Sequence, residues 1–353
     1  MSCIPLTAPA VVFESVRGEI KYDPNYPVVQ PEDLTPGEVL VQLDYSGVCH
    51  TDYHHWSGAK PAAAKFPLIA GHEGVGRVVA IGHGTTTALK PGSHVGLKWI
   101  ASTCGECAYC RSGNEQFCAS AAMHGFTRPG TFQRYVVADE KALVRVPEDV
   151  KGKEAAVMMC AGVTAWKAVK KANVDASNWL VISGAGGGIG HLATQFAVHS
   201  GIKVVAIDRG DKRELVEGYG VETFLDYEKY EGDQLVEEVK KVCGGIGAQA
   251  VIVASTAPDI YGQALKFLRP MGTLVVVAVP GLETLDNFLV TVLSKGLSVV
   301  GVNVGSSVEV DEALQLVSEG KIQPEVTVEK LEDVEKVFQR MEEGKIQGRV
   351  ALE

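Results

Sequence analysis

The chain has 353 residues, 46% of them hydrophobic and 22% charged, which suffices for a large core and about two domains. A formal net charge of −10 without any clustered basic run excludes a nucleic-acid backbone as the expected partner. No run of about 18 apolar residues offers a membrane span. The start "MSCIPLTAPAVVF" lacks the basic region and apolar run of a secretion signal, so a soluble cytoplasmic protein is expected.

Along residues 1–159, short apolar runs such as "GEVLVQLDYSGV" and "GVGRVVAIG" alternate with Gly and Pro. This is the strand-and-turn texture of a compact β-rich domain. Two stretches in it carry ligand-type side chains, "YSGVCHTDYHHW" (45–56) and "IAGHEGVGRV" (69–78). Taken singly, Cys49 reads as a small buried residue and His72 as a satisfied histidine. With Cys160 of "MMCAGVTAW" they offer two sulfurs and one nitrogen, a set that suits Zn²⁺ with a fourth position open. Their wide separation along the chain leaves both readings standing.

Between these stretches lies "CGECAYCRSGNEQFC" (104–118), which holds four of the eight cysteines as C-x2-C-x2-C-x7-C. In a reducing compartment such clusters are metal ligands more readily than disulfides. Gaps of two residues let thiolates converge on one ion at about 2.3 Å, giving a closed tetrahedral zinc site. Gly105 and Gly113 free the backbone to wrap around it. A closed site has no room for substrate, so Cys104, Cys107, Cys110 and Cys118 are expected to be structural; a redox thiol cluster is the alternative.

Near residue 160 the composition changes, and "NWLVISGAGGGIGHLATQFAVHSGIKVVAIDRG" reads strand, glycine turn, helix, strand. Further apolar runs, "AQAVIVAS" and "GTLVVVAVPG", alternate with helical segments such as "DIYGQALKFL", the pattern of a doubly wound parallel sheet. The turn Gly184–Gly190 and Asp208, eighteen residues beyond it, fit a dinucleotide: small residues admit the pyrophosphate and the acid accepts ribose hydroxyls. Asp208 would repel a 2′-phosphate, which favours NAD, while the adjacent Arg209 keeps NADP as the alternative. Beyond residue 300 come the helices "VDEALQLVSEG" and "EDVEKVFQRMEEG", the latter with Val334, Val337, Phe338 and Met341 on one face, and a last strand "GRVALE".

The segments "SGVCHTD", "GHEG", "CAGVTAWKA" and the late "GRV", together with the cysteine lobe and the glycine turn, resemble the zinc-dependent medium-chain alcohol dehydrogenases. They resemble especially the yeast and fungal ethanol-dehydrogenase-like branch, in the same order over essentially the whole chain. The resemblance implies an α/β architecture: a GroES-like β-rich catalytic domain at 1–159, a Rossmann doubly wound sheet at 160–300, and a segment at 301–353 that returns to the catalytic domain. It implies two zinc ions per chain, NAD, a small-molecule alcohol or aldehyde substrate, and a homotetramer.

Residue by residue, the resemblance makes Cys49, His72 and Cys160 ligands of a catalytic zinc, with Glu73 able to enter the metal shell. Asp52 would orient His72, although capping a helix start is a sufficient role for it. Thr51 and His54 match a proton relay that includes a cofactor ribose hydroxyl. His50 and Arg349 match contacts to the pyrophosphate. Gly187, Gly188, Ile189 and Asp208 match cofactor contacts, as does Lys212, with Arg213 the alternative to it. Val277, Val279, Ser298 and Val300 would flank the nicotinamide. The implied reaction is reversible hydride transfer between a primary or secondary alcohol and NAD.

Two departures from the ethanol-specialised enzymes concern the alcohol pocket: Lys60 stands where they have tryptophan, and Val279 where they have methionine, while Trp99 is retained. A wider pocket is therefore expected, one that takes branched or aromatic alcohols at least as well as ethanol. The alternatives are an NADPH-dependent reductase of bulky aldehydes or ketones on the same fold, and a catalytically silent zinc- and nucleotide-binding protein. His55 is expected at the surface, and Cys3 and Cys243 as ordinary thiols.

Overall fold

The computed structural model describes residues 4–59, 64–257, 259–278 and 287–353. The chain divides into two units. The first runs to Val163 and adds Val304–Gly320 and Glu325–Glu353; the second comprises Thr164–Asn303 and Lys321–Pro324.

The first unit is β-rich. Among its described residues, a seven-stranded sheet is built around Glu38–Gly47, which pairs antiparallel with Glu73–Ile81, Tyr135–Asp139 and Arg349–Leu352. Alternation sends side chains of one strand to opposite faces: Val39, Val41 and Leu43 pack with Val78, Val95 and Leu97, whereas Leu40 packs with Leu34 and Ala80. The late strand Arg349–Leu352 lies between Glu38–Gly47 and Val326–Glu329, running parallel to the latter. It therefore brings a residue from the far end of the sequence beside the start of Glu73–Ile81. The apolar stripe Val334, Val337, Phe338 and Met341 of helix Val334–Glu342 is buried against Phe13, Val11 and Phe132.

The second unit is an α/β layer. Its six described strands run parallel in the order Thr223–Asp226, Lys203–Asp208, Trp179–Ser183, Ala248–Val253, Leu268–Val276 and Ser298–Gly301. Numbered by sequence this is 3-2-1-4-5-6, the doubly wound order whose direction reverses beside the first strand. Helix Gly190–His199 follows Trp179–Ser183, and its residues Leu192, Ala193, Phe196 and Ala197 are buried. The strand read from "GTLVVVAVPG" begins earlier, at Leu268, and ends at Val276.

Two glycines make the turn before that helix possible. Gly184 has φ of +80°, the left-handed region that favours glycine. A Cβ on Gly190 would lie 1.9 Å from the Gly184 carbonyl oxygen, so the turn and the helix start approach closely only because Gly190 has no side chain. Gly190→Ala should therefore cost about 1–3 kcal/mol or more of stability. Gly262, inside helix Ile260–Phe267 with open space around its Cβ position, should gain about 0.5–1 kcal/mol on substitution by Ala. Urea unfolding of both variants checks the pair, and equal effects would contradict the close-approach argument.

Candidate active site

The four cysteines of 104–118 fold onto one point. Their sulfurs lie within 4.8 Å of one another, with Cys107–Cys110 at 3.5 Å, Cys104–Cys118 at 3.6 Å and Cys104–Cys110 at 4.0 Å. Four sulfurs about 2.3 Å from a central zinc ion are about 3.8 Å apart, whereas a disulfide needs about 2 Å. The spacing fits a tetrahedral ion and no disulfide. The backbone N–H groups of Cys107 and Cys110 donate to the Cys104 and Cys107 sulfurs, a pattern that stabilises thiolates.

A second group gathers Cys49, His72, Glu73 and Cys160, again within 4.8 Å. Cys49 caps helix His50–Ser57; His72 immediately precedes strand Glu73–Ile81; Cys160 lies in a buried π-helical turn, Met158–Gly162. Such wide turns displace a side chain from its regular helical direction. Asp52 is fully buried and accepts from His72 Nδ1 at 3.0 Å, from Gly71 N–H at 3.1 Å and from Cys49 N–H at 3.0 Å. It therefore both caps the helix and orients the imidazole, leaving Nε2 for the other three groups. Burial alone would lower the His72 imidazole, but the Asp52 carboxylate outweighs it and raises it well above its ordinary value.

Glu73 completes the group. The Arg349 guanidinium donates to Glu73 Oε1, while Oε2 is buried and has no hydrogen-bond partner. Burial pushes this carboxyl up to about 7, against the pull of Arg349. A Cβ at Gly47 would sit 2.0 Å from Oε2, so that glycine makes the space the carboxylate occupies. Two thiols, one imidazole nitrogen and an unsatisfied carboxylate oxygen at a single point fit a zinc ion.

Thr51 and His54 stand one turn apart on helix His50–Ser57, both half-buried, and His50 at its start is exposed. His55 departs from the expectation of a surface residue: it is 7% exposed. Its ring stacks on Phe126 at 4.8 Å and approaches Trp99 at 5.8 Å, and Trp99 meets the His72 ring edge-on at 5.0 Å. These two aromatic neighbours come from separate segments, which no local pattern around residue 55 announces. Lys60 and Val279 lie outside the described residues, as does Cys3. Cys243 is buried, which pushes its thiol up to about 12 and leaves it unreactive.

In the second unit, Gly187, Gly188 and Ile189 lead into helix Gly190–His199, whose N-terminus favours anions. Asp208 ends strand Lys203–Asp208 and accepts from Gly186 N–H and Arg209 N–H, each at 2.8 Å. Lys212 lies 3.6 Å from Asp208, whereas Arg213 pairs with Glu217 and covers the Phe224 ring. Val277 follows strand Leu268–Val276, and Ser298 and Val300 lie on the edge strand Ser298–Gly301.

These two arrangements match known proteins. The alcohol dehydrogenase GroES-like domain matches residues 35–148, and the zinc-binding dehydrogenase domain matches 188–319. An alcohol dehydrogenase of Schizosaccharomyces pombe is 44% identical over 326 residues, 91% of this chain and 90% of that protein. The chain belongs to the zinc-binding alcohol dehydrogenases. The alcohol dehydrogenase of the archaeon Aeropyrum pernix superposes with a TM-score of 0.87 at 27% identity, covering 98% of this chain and 99% of that one. Acetophenone reductase from Geotrichum candidum, solved with NAD, superposes with a TM-score of 0.86 at 28% identity, covering 99% and 98%. As a member of this family the protein is an oxidoreductase with the GroES-like and Rossmann-type folds.

One buried histidine makes the stability of this dehydrogenase depend on pH. His124 is 2% exposed, and its Nδ1–H donates to the Lys98 carbonyl at 2.8 Å. Burial pushes its imidazole down to about 4. Between about 6.5, the ordinary value, and 4, the unfolded chain takes up a proton that the folded one refuses, so stability falls as pH falls through this window. The loss amounts to about 3 kcal/mol at most. His124→Asn retains an N–H donor without a titrating group and should flatten that part of the pH–stability curve in chemical denaturation. Equal slopes for the two proteins would contradict this.

Proposed function

We propose that the protein is an NAD-dependent alcohol dehydrogenase holding two zinc ions per chain, catalysing reversible hydride transfer between primary or secondary alcohols and NAD. The observation that carries this is the convergence of Cys49, His72, Cys160 and the unsatisfied Glu73 Oε2 within 4.8 Å. When bound, zinc supplies Lewis acidity at the alcohol oxygen and NAD supplies the hydride acceptor.

Cys49, His72 and Cys160 would hold the catalytic ion, with Asp52 fixing the imidazole, and Glu73 Oε2 provides a further donor when other ligands leave. Cys104, Cys107, Cys110 and Cys118 would hold the second ion, away from the chemistry. Thr51 accepts the substrate hydroxyl proton and passes it toward His54 and solvent. The glycine turn and the start of helix Gly190–His199 would hold the pyrophosphate, and the family resemblance assigns His50 and Arg349 to it as well. Asp208 accepts the adenosine ribose hydroxyls, supported by Lys212, and its charge disfavours a 2′-phosphate. Val277, Ser298 and Val300 are assigned to the nicotinamide side. For the substrate, the similarity to an acetophenone reductase and the half-buried Trp99 ring beside His72 support alcohols bulkier than ethanol, aromatic ones included.

Purified enzyme offered ethanol, hexanol and benzyl alcohol with each cofactor should form NADH in preference to NADPH, with kcat/KM rising along the series. Cys49→Ala should abolish turnover yet leave a folded protein with one zinc per chain by metal analysis. No alcohol-dependent reduction of either cofactor would overturn the assignment, and a preference for NADP⁺ would overturn the cofactor.

Self-association is part of the same reading. Among the described residues, the strand Ser298–Gly301 ends its sheet, and the neighbouring helix Phe288–Lys295 exposes Leu289, Val290 and Leu293. An unpaired edge with apolar side chains beside it supports contact between copies, and a cytoplasmic homotetramer is the proposed form. Sedimentation should give about four times the 37.6 kDa chain mass, and a monomer at micromolar concentration would contradict it.

A further inference from the structure

Lys98 is a charged side chain for which the reaction has no use, yet it is 4% exposed. Its ammonium donates to Glu115 Oε1 at 2.9 Å and to Ser307 Oγ. The same carboxylate oxygen accepts from Ser307 N–H at 2.7 Å and from Ser307 Oγ at 2.9 Å. Glu115 sits between the third and fourth cysteines of the lobe, in the turn Glu115–Phe117. Ser307 opens helix Ser307–Ser318, which already has a capping box from Ser306 and Glu309. The bonds to Glu115 are therefore additional to what that helix end requires.

A buried ion pair stabilises little, since desolvation opposes the Coulombic gain, and well-packed apolar residues would serve stability as well. What three directional bonds on one oxygen do provide is a fixed orientation. Burial pushes the Glu115 carboxyl up, but Lys98 and the Ser307 N–H hold it down at about 2.

The residue held this way is bonded to Trp99. The Lys98 carbonyl accepts from His124 Nδ1 at 2.8 Å and the Trp99 carbonyl from His124 N–H at 3.0 Å. Backbone and side chain of this dipeptide are thus pinned from two directions while the Trp99 ring meets His72.

We propose that Lys98, Glu115 and Ser307 form a positioning unit through which the cysteine lobe fixes the Trp99 indole beside His72 and so sets which alcohols are preferred. The unit rests on the assignment of Trp99 to the alcohol pocket. Its members are assigned no contact with substrate or cofactor; they act through Trp99.

Glu115→Gln keeps the shape but leaves Lys98 without its counter-charge. The emission contributed by Trp99, taken as wild type minus Trp99→Phe, should shift in Glu115→Gln, judged against Trp99→Phe carrying the same change. For benzyl alcohol, KM should rise about tenfold while kcat stays within about twofold, as for a displaced binding wall. In the Trp99→Phe background the same substitution should add almost nothing, because both changes act on one contact. Ser307→Ala, which keeps the backbone N–H, is the milder variant; it should shift the spectrum and KM in the same direction and stands in if Glu115→Gln does not fold. An unchanged Trp99 emission, or an undiminished KM effect in the Trp99→Phe background, overturns the unit and leaves a merely structural ion pair. If the emission shifts but wild type oxidises no alcohol, the placement of Trp99 by the unit stands, and its role in alcohol preference falls with the dehydrogenase reading.

Discussion

The Asp52 carboxylate is the contact on which the metal-ligand group depends. It is inaccessible to water, and three donors converge on it from two segments about twenty residues apart: Cys49 N–H, Gly71 N–H and His72 Nδ1. A buried carboxylate without partners is very costly, so the helix start and the segment before strand Glu73–Ile81 are held together by the need to satisfy it. Cys49 and His72 thereby face each other before any ion is considered. The same carboxylate selects which imidazole nitrogen points at the thiols.

Around this contact, buried charge is arranged in compensating pairs. Glu73 is fully buried and takes its counter-charge from Arg349, on a strand that lies between Glu38–Gly47 and Val326–Glu329. Lys98 takes its own from Glu115. The apolar clusters on the two faces of the seven-stranded sheet contribute the larger share of stability, at roughly 25 cal/mol per Å² of apolar surface buried. The charged pairs contribute geometry.

Much of the fold was legible because its signals are local. "WLVIS" coincides with strand Trp179–Ser183, and the glycine turn with its close approach. The apolar stripe from Val334 to Met341 is buried. The helix at Ser307 starts three residues before "VDEALQLVSEG" would suggest; the Ser306/Glu309 capping box carries that information in plain residues. Other features arise only from tertiary packing. The π-helical turn that carries Cys160 has no periodic signature, and the side to which His55 turns is set by Trp99 and Phe126. The meeting of Lys98 with Glu115 and Ser307 has no local signal in the sequence. The cysteine lobe was readable because its spacing is itself the geometry, whereas gathering Cys49, His72 and Cys160 required whole-chain resemblance.

The bond between Glu73 and Arg349 spans 276 residues, a stretch that includes the second unit. A ribosome working at about 5–20 residues per second needs roughly 14 to 55 s to make that stretch. Throughout that interval the nascent first unit has Glu38–Gly47 without its neighbour Arg349–Leu352, and Glu73 without its guanidinium. Ser46 and Gly47 then lack that strand partner beside an acid without its counter-charge, while residues 38–42 already pair with Tyr135–Asp139. The metal-ligand group Cys49, His72, Glu73 and Cys160 is thus synthesised before the second unit, whereas the counter-charge that lets Glu73 be buried arrives only with Arg349.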